Sequence, residues 1–171
     1  MTVDRADIFI SHIHEDLLAA LGVNAFLRAK LPRDTGIFLS SSQLQIGDEW
    51  LERIRRALRD ARIIIALFSP QSITRPWVNF EAGGAWFSDD KILMPLCIGG
   101  IKPETLPKPY SNIQGADLTD GAAAGYIVSS IWRQLSLDGS PPMIMLDDQD
   151  LKDLQSMIEG RPVPLRPPKG Q

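Results

Sequence analysis

The sequence is poor in cysteine and has no long hydrophobic run. Cys97 is its only cysteine, which excludes a disulfide framework, and its apolar neighbours predict a buried thiol. The longest apolar stretches have about seven residues, far short of the roughly 20 that span a membrane. The first seven residues contain no apolar segment of the kind found in secretory signals. We therefore expect a cytoplasmic protein without a transmembrane segment.

Several charge patterns and ligand-binding motifs are also missing. The chain has 18 basic and 21 acidic residues, and without a Lys/Arg-rich run it is not expected to bind nucleic acid. It lacks the glycine motifs that bind dinucleotides or the phosphates of NTPases, and it lacks the G-x-S-x-G of many hydrolases. His12 and His14 have no third ligand nearby. We therefore expect neither a metal site nor a bound cofactor.

The sequence alternates between short apolar runs and helical patterns. Apolar runs predict strands, and the longer segments with helical spacing predict helices. This alternation is typical of an α/β protein with a parallel sheet and helices on both faces. The predicted strands are 7–11, 36–40, 62–68, 91–98 and a minimal 116–118; the predicted helices are 14–30, 48–61, one beginning near Pro76, 121–137 and 147–159.

Two details of these elements make specific predictions. Leu17, Leu18, Leu21 and Ala25 recur at helical spacing on one face, which predicts that they face the core. Pro95 lies inside the fourth strand. Because proline has no backbone N–H to donate to a neighbouring strand, it predicts either a bulge or a position near the sheet edge.

The expected binding crevice follows from the sheet topology. Ligands of open parallel sheets bind beyond the carboxyl ends of the strands, where the strand order reverses. If the order is 2-1-3-4-5, that point lies between the first and third strands. Ser11 and His12 leave the first strand and residues 69–72 leave the third. Trp77 and Glu81 follow four residues apart, on one face of the predicted helix, and can reach the same crevice.

Five short segments then resemble, in order and spacing, the TIR (Toll/interleukin-1 receptor) domains of the bacterial NAD-cleaving type. Each segment alone is weakly specific, but the ordered set is fairly specific and spans about residues 5–138. Trp77 and Glu81 match the W-x-x-x-E of the enzymatic branch. The segments are 7–12, at the first strand; 40–50, similar to the BB loop; 67–72, after the third strand; 77–81; and 113–115, before the last strand.

This resemblance implies a flavodoxin-like, doubly wound parallel sheet of five strands in the order 2-1-3-4-5. It also implies NAD⁺ glycohydrolase or ADP-ribosyl cyclase activity, with NAD⁺ as substrate rather than cofactor. Glu81 matches the catalytic glutamate. The implied substrate-binding residues are Ser11, His12, Ile13, Ser40 and Trp77.

The resemblance further implies activation by self-assembly. In assembled members the BB loop covers the substrate of a neighbouring subunit, and the matching residues are Leu44, Gln45, Ile46 and Gly47. We therefore expect homotypic TIR–TIR contacts, in a homo-oligomer or filament, and a role in bacterial antiphage immunity. A fused or separate sensor domain is a further expected partner.

The predicted domain organisation has three parts. Residues 1–140 form the TIR domain, and 141–160 a C-terminal helix packed on it or following it. Residues 161–171 are a proline-rich tail or linker.

Two other functions fit parts of the sequence. One is a non-catalytic TIR scaffold that acts only by homotypic contact, which would require neither Trp77 nor Glu81. The other is an enzyme similar to nucleoside deoxyribosyltransferases, which use a glutamate nucleophile on a related sheet. The BB-like loop argues against that second alternative.

Overall fold

A computed structural model describes residues 6–40, 48–75, 90–135, 148–159 and 161. Within these ranges strands and α-helices alternate from residue 8 to residue 68, as expected, and two further strands and then two α-helices follow. The helix predicted to begin near Pro76 and the loop 44–47 lie outside the described residues, as does the tail from 162 onward. The elements are β1 (Ile8–Ser11), α1 (Leu17–Lys30), β2 (Ile37–Leu39), α2 (Asp48–Asp60), β3 (Ile63–Phe68), β4 (Ile92–Cys97), β5 (Ala116–Asp117), α3 (Gly121–Leu135) and α4 (Asp148–Ile158).

The sheet has five parallel strands in the order β2-β1-β3-β4-β5. The predicted fold class and strand order are thereby confirmed. β3 is central, with Ile63 paired to Ile8 of β1 on one side and to Ile92 of β4 on the other. All six of its residues are buried. A strand covered on both faces has no polar side to expose, which explains its uninterrupted apolar sequence.

Successive side chains of the strands enter two separate cores, one on each face of the sheet. On the first face, Ile8, Ile10 and Ile65 pack with residues of α1, α3 and α4. On the second face, Phe9 and Ile64 pack with residues of α2. The edge of the sheet where the strands reach their carboxyl ends therefore has two sides, one above each core. A ligand of a parallel sheet would bind at this carboxyl edge.

Helix α2 is amphipathic, as its sequence predicts. Ile54 and Ala57 are buried against the second face, whereas the arginines point to solvent. Lys91 Nζ donates to the carbonyl oxygens of Arg59 and Ala61, each at 2.7 Å. Carbonyls at a helix C-terminus lack partners within the helix, so this lysine satisfies two of them. It also fixes the end of α2 beside the start of β4.

The buried face of α1 differs from the prediction. Leu17 is only partly buried, Leu18 and Leu21 are 60% and 44% exposed, and Ala25 is exposed too. The buried residues are instead Ala19, Ala20, Gly22, Val23, Phe26 and Leu27. The prediction was wrong because α1 is apolar on nearly all sides, so its periodicity could not select one face.

The position of Pro95 agrees with the second of the two predicted alternatives. β4 pairs with β3 without interruption from Ile92 to Cys97, so the strand has no bulge there. The N–H groups of Ile92 and Ile98 both point toward β3. By alternation, Pro95 faces the β5 side, where pairing begins only at Leu96. Its missing N–H therefore costs the sheet no hydrogen bond.

Helix α4 packs closely against α1. A Cβ atom on Gly22 would lie 2.6 Å from the backbone carbon of Met157. Leu154 of α4 is buried in the core of the first face. None of the described helices is long and apolar enough to cross a membrane.

Candidate active site

Ser11 and Ser40 meet where β1 and β2 end. The Ser40 N–H donates to the carbonyl oxygen of Ile10 at 2.9 Å, and both serines are fully buried. Because side chains alternate along β1, Ser11 lies on the same face as Phe9, the face that α2 covers. The backbone thus brings these two predicted substrate-binding residues together.

His12 follows β1 directly and is fully buried. Its Nδ1 lies 2.7 Å from the carbonyl oxygen of Ile13, so the neutral ring donates from Nδ1. That leaves Nε2 as a buried acceptor without a hydrogen-bond partner among the described residues. Burial lowers the pKa of His12 by disfavouring the charged ring, against the smaller opposing effects of the Ile13 carbonyl and Asp16. A neutral acceptor at this point can bind a hydroxyl or amide N–H.

The other predicted site residues divide into two groups. Ile13 is described, and its side chain lies in the core beneath α2. Trp77 and Glu81 lie outside the described residues, as do Leu44, Gln45, Ile46 and Gly47. The described part of the candidate site is therefore its floor at the ends of β1 and β2, formed by Ser11, His12, Ile13 and Ser40.

A buried acid at this edge was missed by sequence reasoning. Ser69 Oγ donates to Asp16 Oδ2 at 2.7 Å, and the two residues are only 2% and 8% exposed. Asp16 is the N-cap residue of α1, yet its side chain makes no capping bond. An acid before a helix predicts a cap, whereas a partner 53 residues away leaves no local sequence signal.

The environment of Asp16 disfavours its charge. Burial raises the pKa of its carboxyl, and the hydrogen bond from Ser69 and the nearby His12 only partly oppose that shift. A carboxyl with a raised pKa at the carboxyl edge of a parallel sheet is a candidate functional group.

Asp16 and Ser69 also line an open cleft of about 720 Å³. Its floor is formed by the turns after β3, β4 and β5, and α1 and α4 border it. Gly99 and Gly100 have positive φ angles, which fit glycine and permit the tight turn after β4. Ser11 and Ile13 lie on the α2 face and do not line this cleft, so the cleft is separate from the floor described above.

The described residues hold no group of three or more side chains suited to a metal ion. Cys97 is buried, and burial raises the pKa of its thiol to about 12. Because the thiolate is the reactive form, this cysteine does not serve as a nucleophile near neutral pH.

The family model described as "TIR domain" matches residues 8–135, about three quarters of the chain. The chain belongs to the TIR domain family. The matched region runs from the start of β1 to the end of α3, so in this TIR domain α4 lies beyond it. The match includes the positions of Trp77 and Glu81.

Among solved structures, this TIR domain is similar to the TIR domains of the activated Roq1 resistosome, which directly recognizes the pathogen effector XopQ. The two chains are 13% identical, with a TM-score of 0.44, and the alignment covers 91% of this chain and 82% of that chain. No curated protein matches the chain.

Proposed function

We propose that this TIR domain cleaves NAD⁺ at the bond between nicotinamide and ribose, with Glu81 as the catalytic residue. The observation that carries the proposal is the W-x-x-x-E of Trp77 and Glu81 inside the matched family region. The chain leads into that segment directly from the loop after β3, the central strand of the sheet. That strand borders the reversal of strand order, where parallel sheets bind ligands.

One carboxylate suffices for this reaction because of the leaving group. Glycosidases usually need a second carboxyl to protonate the leaving oxygen. In NAD⁺ the leaving group is a pyridinium, which takes the bonding electron pair and departs as neutral nicotinamide without a proton. The transition state then carries positive charge at the ribose C1′ carbon, and the enzyme must stabilise this charge. A fixed carboxylate beside the ribose stabilises that charge.

Capture of the ribosyl cation then determines the product. A water oxygen bonding to C1′ gives ADP-ribose and releases one proton, which is hydrolysis. A ring nitrogen of the substrate's own adenine bonding to C1′ gives a cyclic ADP-ribose, which is cyclisation. Exclusion of water from the pocket favours the second route.

The described floor supports substrate binding at this position. The neutral Nε2 of His12 is a buried acceptor, and a buried polar atom without a partner is costly. A ribose hydroxyl or the carboxamide N–H of nicotinamide would satisfy it. Ser11 and Ser40 place two hydroxyl groups at the same strand ends. We propose that Trp77 forms a wall of this pocket and that Ile13 belongs to its floor.

The proposal extends to assembly and biological role. The segment 44–47 of one molecule would cover the site of another, so that homotypic contact activates the enzyme. Consumption of NAD⁺, an intracellular dinucleotide, places the activity in the cytoplasm and fits bacterial antiphage defence, in which a fused or separate sensor domain triggers assembly.

The test is NAD⁺ turnover by concentrated protein, with release of nicotinamide as the readout. We expect Glu81→Gln to lower the rate by roughly 10²–10³-fold, because it removes the charge while keeping the side-chain size. Glu52→Gln is the matched control, since Glu52 is an exposed acid on α2 that pairs with Arg55 one turn along the helix. Its rate should equal that of the wild type.

Two results would contradict the proposal. Absence of nicotinamide release at high protein concentration would favour the non-catalytic scaffold. Turnover of deoxynucleosides with NAD⁺ left intact would favour the deoxyribosyltransferase-like enzyme.

A further inference from the structure

The loop after β3 is bonded to the start of α1 by a buried pair of side chains. Ser69 is the first residue after β3, and its hydroxyl donates to Asp16 at 2.7 Å. Both side chains are more than nine-tenths buried. Although both residues line the open cleft, little of either is exposed, so the geometry of this bond is fixed more tightly than that of a surface contact.

Ser69 and Ser72 lock the loop through reciprocal bonds. The Ser69 N–H donates to Ser72 Oγ at 2.7 Å, and the Ser72 N–H donates to Ser69 Oγ at 3.1 Å. The Ser72 hydroxyl in turn donates to the carbonyl oxygen of Leu67 at 3.2 Å. The Ser69 oxygen thus accepts from the loop backbone while its proton goes to Asp16. Loss of Asp16 would remove the side-chain acceptor that ties this loop to α1 through Ser69.

A second contact joins the far end of the same loop to the neighbouring residue. Arg75 donates to Glu15 at 3.0 Å, and both side chains are about half exposed. Exposed ion pairs contribute little, so Asp16 carries most of the attachment. Arg75 directly precedes the segment that contains Trp77 and Glu81.

The burial of Asp16 is not explained by stability alone. Burial raises the pKa of its carboxyl, which means that the folded protein disfavours the charged form. Buried polar pairs are often no more stable than apolar residues of similar size. A polar pair that adds little stability but fixes the position of the loop relative to α1 is suited to aligning that loop.

We propose that Asp16, acting through Ser69, is a positioning residue that sets where the segment carrying Glu81 leaves the sheet. This inference rests on the proposed cleavage of NAD⁺. Asp16 touches no reacting atom in this role. It holds the loop that precedes Glu81 in the chain. A misplacement of a catalytic group by about 1 Å can lower the rate by ~10²-fold.

The test compares Asp16→Ala with Asp16→Asn in the full-length protein. The alanine variant lacks an acceptor for Ser69, and we expect its kcat to fall by roughly 10–100-fold with KM nearly unchanged. The asparagine variant keeps a carbonyl oxygen for Ser69 and should recover most of that loss. Asp34→Ala, which removes an exposed acid between α1 and β2, is the control and should match the wild type.

Hydrogen exchange gives a readout independent of turnover. The Ser72 amide donates to both the carbonyl oxygen and Oγ of Ser69. It should exchange faster in Asp16→Ala, because the loop without its bond to Asp16 opens more often, and at the wild-type rate in Asp16→Asn. If Asp16→Ala does not fold, Ser69→Ala removes only one hydroxyl and should produce the same fall in kcat.

Three outcomes would overturn the inference. Wild-type kcat in both Asp16→Ala and Ser69→Ala would show that the bond aligns nothing. Equal losses in the alanine and asparagine variants of Asp16 would show that its charge acts directly. Absence of NAD⁺ turnover by the wild type would overturn the proposed function together with this inference, whereas the first two outcomes leave that function standing.

Discussion

At the scale of single residues, His12 has two features that lower the stability of the folded protein and that a purely structural position would avoid. Its ring is fully buried, and its Nε2 has no hydrogen-bond partner in the part of the chain that the structure describes. Burial also lowers its pKa, so the folded protein resists protonation of the ring. Proteins retain such costs mainly at functional sites, and His12 lies at the end of β1, where the sequence predicts the substrate.

His12 should make the stability of the protein depend on pH. An unfolded histidine takes up a proton near pH 6.5, whereas folded His12 resists it until lower pH. The stability is therefore fully present above pH 6.5 and falls as the pH decreases below it, by up to about 1.4 kcal/mol per pH unit. We expect His12→Asn, which can keep the bond to Ile13 but does not titrate, to weaken this dependence.

The measurement is the free energy of unfolding from urea titrations at pH 7.5 and pH 5.5. His14→Asn is the matched control, because His14 is an exposed histidine two residues away. Its pH dependence should follow that of the wild type. An unchanged pH dependence in His12→Asn would show that the buried ring is not responsible.

At the scale of elements, α1 and α4 show how a neighbour decides which face of a helix is buried. Gly22 leaves room for the α4 backbone, and a Cβ there would lie 2.6 Å from Met157. Leu18 and Leu21 remain exposed. The existence of α1 and its end at Lys30 could be predicted from its own sequence, although its α-helical part begins at Leu17 and not at His14. Its orientation could not be predicted, because residues that it packs against lie about 130 positions away.

Gly22→Ala should destabilise the protein even though alanine is the better helix former. The substitution gains about 1 kcal/mol in helix propensity. The added methyl group forces two backbones apart, and overpacking of this kind typically costs about 1–3 kcal/mol. We expect the urea midpoint to fall and the protease sensitivity of α4 to rise.

Ala25→Gly serves as the control for this substitution. Ala25 is exposed on the same helix, so the change should report the propensity of glycine in α1, about 1 kcal/mol, without affecting α4. A higher urea midpoint for Gly22→Ala than for the wild type would contradict the close packing of the two helices.

At the scale of the whole molecule, some features of this TIR domain can be predicted from short stretches of sequence and others cannot. Strand order and fold class could be predicted because alternating patterns and family motifs determine them. The bond between Asp16 and Ser69 could not, since no spacing relates residues that only the sheet brings together. Glu81 and the loop 44–47 are identified by motif alone, so the relation between them is best tested between molecules.

Complementation between two inactive variants would test whether the active site is shared. If residues 44–47 of one molecule complete the site of another, Glu81→Gln supplies an intact loop and Ile46→Asp supplies an intact carboxylate. Each variant alone should be at least roughly 10²-fold less active than the wild type. In an equal mixture some contacts pair the intact loop with the intact Glu81, and turnover should recover.

The rate expected for the mixture can be calculated. With random pairing in a head-to-tail assembly, about a quarter of the contacts join two intact parts, which sets the expected recovery near one quarter of the wild-type rate. The specific activity of the wild type should also rise with protein concentration, because mass action controls assembly. A mixture no more active than its components, with wild-type specific activity independent of concentration, would mean that each molecule carries a complete site of its own.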